Sequence, residues 1–234
     1  MKKLVYLFVV LALMSTLVAC GNDNEVTEPQ DPTGTVSSSK DEEPKKSDSK
    51  ETSLDDIENA PETDASKFEY KDVDGGVAIT SFNGDDEVVV TPEKIDGKTV
   101  VAIDENSFVN NETLLGVKIT DNVKQIGSHC FENCTALKVF ISGAGLETIS
   151  EFAFNNCKEL SDVKLNDGLK SIEMLSFGFT NISEIYIPES VETIDSPFTL
   201  DKEKTVKIIS APGSEAENYV ALDGEAFNIV FEAK

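Results

Sequence analysis

Hydrophobic side chains recur along the middle of this chain at a fixed spacing of 23 residues. The largest are phenylalanines; an isoleucine lies five residues before each of them, and a leucine lies six residues after the first three. The phenylalanines are Phe108, Phe131, Phe154 and Phe177, the isoleucines Ile103, Ile126, Ile149 and Ile172, and the leucines Leu114, Leu137 and Leu160. A constant period of this length predicts a solenoid, in which each repeat forms one coil that stacks on the next.

An alternating apolar segment predicts one short strand in each coil. Its first instance contains Leu114, Val117 and Ile119. Strands of adjacent coils pair at a spacing of about 4.8 Å, so equivalent residues of successive repeats lie above one another. We therefore expect the phenylalanines to form a buried column through the domain.

Two residues depart from the repeat. Ser142 stands where an apolar strand residue is expected, and Phe179 stands where the earlier repeats have Asn110, Asn133 and Asn156. These departures predict local irregularity in the second strand and the fourth coil. The asparagines are expected to satisfy backbone groups in the turns of adjacent coils.

The repeat pattern resembles the BspA-like leucine-rich repeats, whose unit is roughly V-x-x-I-G-x-x-A-F-x-N-C-x-x-L-x-x-V-x-I-P. The chain matches this unit at Val123, Ile126, Gly127, Phe131, Asn133, Cys134 and Leu137, and again at Ile187 and Pro188. The resemblance implies a β-rich α/β solenoid over residues 100–198. It also implies a surface-exposed binding or adhesion module, because some members of the family are taken to hold host matrix proteins.

Both ends of the solenoid carry predicted caps, which would cover the apolar edges of the terminal coils. Residues 67–99 predict an N-terminal β cap, with a turn at Asp74-Gly75-Gly76 and a hairpin at Asn83-Gly84. Residues 199–234 predict a C-terminal cap containing a strand at 205–209, a helix that begins after Ser214 and a strand at 227–231.

The first 19 residues are predicted to be a lipoprotein signal peptide. A basic start at Lys2 and Lys3 precedes an apolar segment, and Leu17-Val18-Ala19-Cys20 resembles a bacterial lipobox. This pattern predicts lipidation of Cys20 and an extracytoplasmic protein that is lipid-anchored to the cell membrane or cell surface. An ordinary secretory signal with an incidental cysteine is the alternative.

Residues 20–66 are rich in Ser, Thr, Pro, Asp, Glu and Lys. A segment of this composition buries too little apolar area to offset its loss of conformational entropy. We predict a disordered acidic tether that begins at the lipidated cysteine. Leu54, Ile57 and Ala60 have the spacing of a short helical turn before Pro61.

The net charge of −24 argues against two classes of partner. All 20 basic residues are lysine, so the chain lacks the arginines that commonly bind phosphates and guanines. An acidic surface repels both nucleic acid and anionic lipid headgroups. We therefore predict no nucleic-acid partner, and membrane association only through the lipid.

The sequence shows no catalytic or metal-binding pattern. His129 is the only histidine. Without another histidine to act as a base, the sequence shows no recognisable pair of nucleophile and base. Cys134 and Cys157 share one repeat position, where they form either a disulfide or two buried thiols. These cysteines, Cys130 and His129 are too poor a ligand set for zinc. No cofactor or metal is predicted.

A binding surface is predicted where strand residues alternate outward from the core. The candidate residues there are Lys118, Val139, Ile141, Lys164 and Tyr186. Exposed apolar residues can mark an interaction site, and tyrosine is enriched in interfaces. A register slip beside Ser142 is the alternative, because it would turn Val139 and Ile141 inward.

Together these patterns predict a non-catalytic, monomeric module that binds a protein or glycan at the cell surface. A structural or envelope-assembly lipoprotein is the first alternative, and it would have no soluble ligand on its strand face. A carboxylate-based enzyme is the second, and it would need a cleft lined by convergent carboxylates.

Overall fold

The computed structural model describes residues 52–199 and 203–234. These residues form a β-solenoid whose coils follow the 23-residue period. Within the described part of the chain, no helix is long and apolar enough to cross a membrane. The predicted signal peptide, the lipidation site at Cys20 and most of the predicted tether lie outside the described residues.

Each coil contributes two short strands, whereas the sequence pattern predicted one. The strands are β1 (Phe68–Val73), β2 (Gly76–Phe82), β3 (Val88–Val90), β4 (Lys94–Ile95), β5 (Lys98–Ile103), β6 (Gly116–Lys118), β7 (Gln125–Ile126), β8 (Val139–Ile141), β9 (Thr148–Ile149), β10 (Asp162–Lys164), β11 (Ser171–Ile172), β12 (Glu184–Tyr186), β13 (Thr193–Ile194), β14 (Val206–Ser210) and β15 (Ile229–Ala233). The helices are α1 (Leu54–Glu58) and α2 (Glu215–Phe227), with a 3₁₀ turn at Ala65–Lys67.

These strands form three sheets. The largest runs β1-β2-β5-β7-β9-β11-β13, with β4 beside β5. The second has the order β10-β8-β6-β3, and its strands are all parallel. The third has the order β12-β14-β15. The predicted irregularity of the fourth coil is confirmed, because β12 pairs with β14 and not with β10.

The phenylalanine column is confirmed. Ring centroids are 4.7 Å apart between Phe108 and Phe131, 5.1 Å between Phe131 and Phe154, and 5.5 Å between Phe154 and Phe177. The column extends one ring beyond each end of the predicted set, to Phe82 and Phe198. No single coil could bury these rings, so the column ties each coil to the next.

Two positions in every repeat have a left-handed backbone. The first set is Asn106, His129, Phe152 and Leu175, and the second is Asn110, Asn133, Asn156 and Phe179. Asparagine tolerates this conformation better than most residues, which explains its recurrence. The asparagine side chains bond to one another and not to the backbone, with the amide of Asn133 donating to Asn110 at 2.8 Å and that of Asn156 donating to Asn133 at 2.7 Å. Phe179 ends this ladder.

The N-terminal cap begins earlier than the sequence predicted. Residues 52–66 do not all belong to a disordered tether, because α1 and the 3₁₀ turn lie within them and Ile57 is fully buried. After them, β1 and β2 form an antiparallel hairpin at Asp74-Gly75, and β2 continues into the largest sheet. The predicted hairpin at Asn83-Gly84 is wrong, since these residues connect strands of two different sheets.

The C-terminal cap has the predicted order of strand, helix and strand. Ser214 is the N-cap of α2, and its hydroxyl accepts a hydrogen bond from the backbone N–H of Glu217. The helix ends at Asn228, which has a left-handed backbone. Strand β15 then pairs with β14 and completes the third sheet.

Candidate functional site

The outer surface of the four-stranded sheet is formed by the first and third residue of each three-residue strand. The middle residues Val89, Val117, Phe140 and Val163 lie in register and pack toward the core. One outward row contains Val88, Gly116, Val139 and Asp162, and the other contains Val90, Lys118, Ile141 and Lys164.

Helix α1 covers the centre of this surface. Ile57 is fully buried and packs with Val139 and Ile141 in a small hydrophobic cluster, against which Leu54 and Val88 also pack. Complete burial of an isoleucine side chain is worth about 2 kcal/mol. We call the five sheet residues beneath α1 the sheet patch: they are Gly116, Lys118, Val139, Ile141 and Lys164.

Local sequence accounts for α1. Ser53 and Asp56 form a capping box, in which each side chain accepts a hydrogen bond from the backbone N–H of the other residue. Leu54 and Ile57 are three residues apart and therefore lie on one face of the helix. The helix is only five residues long, and helices this short are marginal without tertiary contacts. Its order therefore depends on the sheet patch.

The two lysines of the sheet patch hold the C-terminal end of α1. The ammonium of Lys118 donates to the backbone carbonyl of Glu58 at 2.7 Å, and that of Lys164 pairs with the Glu58 carboxylate at 2.7 Å. The hydrogen bond and charge of Lys164 lower the pKa of Glu58. The pair is exposed, so its net contribution to stability is small, and its main effect is to fix the position of the helix end.

The segment that follows α1 closes the free edge of this sheet. The N–H of Thr63 donates to the carbonyl of Val90 at 3.0 Å, and the Thr63 hydroxyl accepts from the N–H of Val90 at 3.1 Å. Strand β3 is the terminal strand, and exposed terminal strands invite pairing with other chains. Thr63 thus satisfies backbone groups of β3 that would otherwise be free.

The structure separates the five predicted binding residues. The expected exposure of Val139 and Ile141 is wrong, since they are only 1% and 4% exposed. The cause is not a register slip, because Phe140 points inward in line with Val117 and Val163. Both residues point outward, as the regular alternation predicts, and α1 covers them. Ser142 leaves this strand regular.

Lys118, Lys164 and Tyr186 have other surroundings. Lys118 and Lys164 lie beside the apolar pair and contact Glu58 of α1. Tyr186 lies on β12 in the third sheet, half-buried, with the ammonium of Lys234 4.5 Å from its ring centroid. Near Tyr186, Lys207 pairs with Glu184 at 2.9 Å and with Glu232 at 3.2 Å.

Sequence reasoning missed the part that residues 53–63 play in this site, although two signals were present. The Ser53-to-Asp56 spacing is a helix-start pattern that overlaps the apolar pair Leu54 and Ile57. Gly116 is an isolated glycine in a strand, which often marks a close approach of another segment. A Cβ at Gly116 would lie 2.8 Å from Cγ1 of Ile57.

The three cysteines within the described residues form no disulfide. Cys130, Cys134 and Cys157 are free and buried. The thiols of Cys134 and Cys157 donate to the carbonyls of Phe108 and Phe131 in the preceding coil, at 3.2 and 3.1 Å. Burial raises the pKa of Cys130 and of Cys157 well above the usual value. A buried, protonated thiol is a poor nucleophile and metal ligand.

In the described part of the chain, His129 contacts one aromatic ring and one carboxylate. The His129 ring stacks on Phe152 at 4.9 Å, and its Nδ1 lies 2.7 Å from a Glu132 carboxylate oxygen. Within residues 52–199 and 203–234, no cluster of three or more His, Cys, Asp or Glu residues could hold a metal ion. A cavity of about 370 Å³ lies beside Phe179, Phe198 and Phe227, and its described lining contains no His, Cys, Asp or Glu residue.

The comparison with protein families identifies the repeats. A model described as the BspA type leucine rich repeat region matches residues 93–203 in six copies. Residues 93–203 are thus similar in sequence to the BspA-type leucine-rich repeats. The matched residues include the whole sheet patch. They do not include α1.

Solved structures show the same fold. A leucine-rich repeat protein of T. pallidum is 28% identical, with a TM-score of 0.60 over 64% of this chain and 71% of its own. A leucine-rich repeat protein of Bacteroides ovatus is 25% identical, with a TM-score of 0.52 over 62% and 40%. A leucine-rich cell surface protein of Faecalibacterium prausnitzii is 25% identical, with a TM-score of 0.51 over 65% and 46%. The chain thus spans less than half of the last two proteins. No curated protein matches the sequence.

Proposed function

We propose that this protein is a cell-surface lipoprotein, anchored through a lipid on Cys20, whose BspA-type repeats bind a protein or glycan partner without catalysis. The observation that carries this proposal is the outer face of the four-stranded sheet, where α1 of the same chain packs on Val139 and Ile141 and is held by Lys118 and Lys164. Support for the location comes from the similar surface protein of Faecalibacterium prausnitzii and from the lipobox-like sequence ending at Cys20.

Residues of β10 and β12 that lie outside the sheet patch are suited to a first contact with a partner. Asp162 is exposed on β10 of the four-stranded sheet, and β12 of the third sheet carries the exposed Glu184 and the half-buried Tyr186. An aromatic ring beside carboxylates can stack on a sugar or pack against a protein side chain.

Two experiments test the proposal. Metabolic labelling with a fatty-acid analogue should label the parent chain and not Cys20→Ser, and an unlabelled parent would refute the anchor. Capture from a panel of surface proteins and glycans should yield a partner that the double variant Asp162→Ala, Tyr186→Ala loses. The matched control Gln125→Ala, Thr193→Ala changes exposed residues of the largest sheet and should retain the partner. A panel that yields nothing would favour an envelope-assembly role.

A further inference from the structure

We propose that the sheet patch is a binding site for a short acidic amphipathic helix of another protein, and that α1 occupies this site in its absence. The inference rests on the proposed function, since it names the partner chemistry for one part of the same sheet face. Its basis is the set of contacts that α1 makes, which define what the patch recognises.

Three features of the patch specify its ligand. Val139 and Ile141 form an apolar floor that takes two hydrophobic residues three positions apart, as Leu54 and Ile57 show. Gly116 lets the second of these approach the strand backbone. Lys118 and Lys164 receive a helix-end carbonyl and the acidic side chain that follows the second hydrophobic residue. The recognised pattern is therefore Leu-x-x-Ile-Glu in helical form.

Helix α1 is suited to leave the patch when such a helix arrives. It has five residues and is followed within three residues by Pro61, so it cannot extend along the sheet. Its docking face contributes only Leu54 and Ile57 to the apolar contact. A tethered segment competes at an effective concentration in the millimolar range. The sheet patch of the free protein is therefore mostly covered by α1. Its apparent affinity for a partner equals the intrinsic affinity multiplied by the fraction of molecules in which the patch is open.

The experiment is a titration of a fluorescent peptide of residues 52–63 with the chain carrying Cys20→Ser. The open variant adds Leu54→Asp and Ile57→Asp, which prevent α1 from docking. We expect the peptide to bind the open variant at least tenfold more tightly than the parent, because α1 no longer competes. A peptide with Ile57→Asp is the matched ligand control and should not bind.

A second set of variants separates patch binding from other effects. Gly116→Thr in the open variant should weaken peptide binding at least tenfold, since its side chain fills the space that Ile57 enters. Glu58→Lys should also open the patch, because its ammonium is repelled by Lys118 and Lys164. This variant replaces the open variant in the titration if circular dichroism shows that the open variant is unfolded. Absence of saturable peptide binding to a folded open protein would overturn the proposal.

The remaining outcomes are also decisive. Analytical ultracentrifugation could show that the parent forms a dimer and the open variant does not. The occupant of the sheet patch would then be a second copy of this chain, and the assignment to another protein would be overturned. If the peptide does not bind, the capture test with the Asp162 and Tyr186 variant is unaffected, because neither residue belongs to the sheet patch. The two proposals can therefore fail separately.

Discussion

The side chain of Ile57 fills the space in front of Gly116 that a larger residue would need. A Cβ built on Gly116 would lie 2.8 Å from Cγ1 of Ile57 and closer still to Cδ1. Gly116 has no left-handed backbone that would require glycine. Its lack of a side chain therefore serves the close approach of α1 to the sheet.

Substitution of Gly116 by threonine is expected to release α1 and leave the solenoid folded. Threonine is favoured in strands, and the nearest obstruction is a side chain of the departing helix. Hydrogen exchange should show lost protection of the Ile57 and Asn59 amides, which bond within this segment, and unchanged protection of β6. The control variant Asp162→Thr changes a residue of the same outward row that does not contact α1. It should preserve the protection of the Ile57 and Asn59 amides and that of β6. Retained protection in Gly116→Thr would contradict the prediction.

Docking of α1 is expected to weaken as the pH falls below about 4.5. Lys164 lowers the pKa of Glu58 from its usual 4.5, and Lys118 is the other cation that faces it. A carboxylate whose pKa is lower in the folded state contributes stability above its unfolded pKa and loses it as the pH falls through the folded pKa.

The methyl resonance of Ile57 in NMR reports this change, because it depends on contact with the sheet patch. Glu58→Gln removes the titrating group. In this variant the Ile57 methyl resonance should no longer change with pH between about pH 3 and about pH 5, the range in which Glu titrates. An identical profile in this variant would show that another carboxylate controls docking.

Replacement of Phe179 by asparagine is expected to stabilise the domain by about 1 kcal/mol, because asparagine tolerates the left-handed backbone at lower cost. Phe179 has φ 53° and is 54% exposed, so little burial is lost. The new amide can also extend the ladder from Asn156. Phe179→Gly relieves the backbone and adds no amide, so a higher melting temperature for asparagine than for glycine would isolate the ladder bond. A lower melting temperature than the parent would refute the prediction.

The three described cysteines are expected to resist thiol reagents in the folded protein. Burial keeps Cys130 and Cys157 protonated by raising the pKa of each thiol, and only the thiolate reacts. In the Cys20→Ser chain, Ellman's reagent should count all three thiols only after denaturant is added. Rapid reaction without denaturant would contradict this burial.

The raised pKa of these thiols also makes the stability of the folded protein depend on pH. The folded state binds these protons more tightly than the unfolded state, so stability should fall as the pH rises above the unfolded thiol pKa, about 8.5. Cys157→Ala should reduce this slope in denaturant titrations between about pH 8 and 10. An unchanged slope would assign it to other groups.

The sequence by itself determined the solenoid, because its signals are local and repeated. Phe131 and Phe154 lie one repeat apart, so stacking of equivalent residues follows from the period alone. The strand around Phe140 and the N-cap at Ser214 follow from neighbouring residues in the same way. The second strand of each coil was missed because a two-residue strand such as Gln125–Ile126 has no alternation to detect.

Only the tertiary structure decided what happens on the sheet face. Strand alternation gave the outward direction of Val139 and Ile141, but their burial depends on Ile57, which belongs to a segment with the composition of a tether. The contacts of Glu58 with Lys118 and Lys164 span 60 and 106 residues of sequence. A five-residue helix carries too few apolar positions to show a period, and its stability comes from contacts with the sheet. The face that the sequence marked as exposed is therefore closed by a long-range contact that no local pattern encodes.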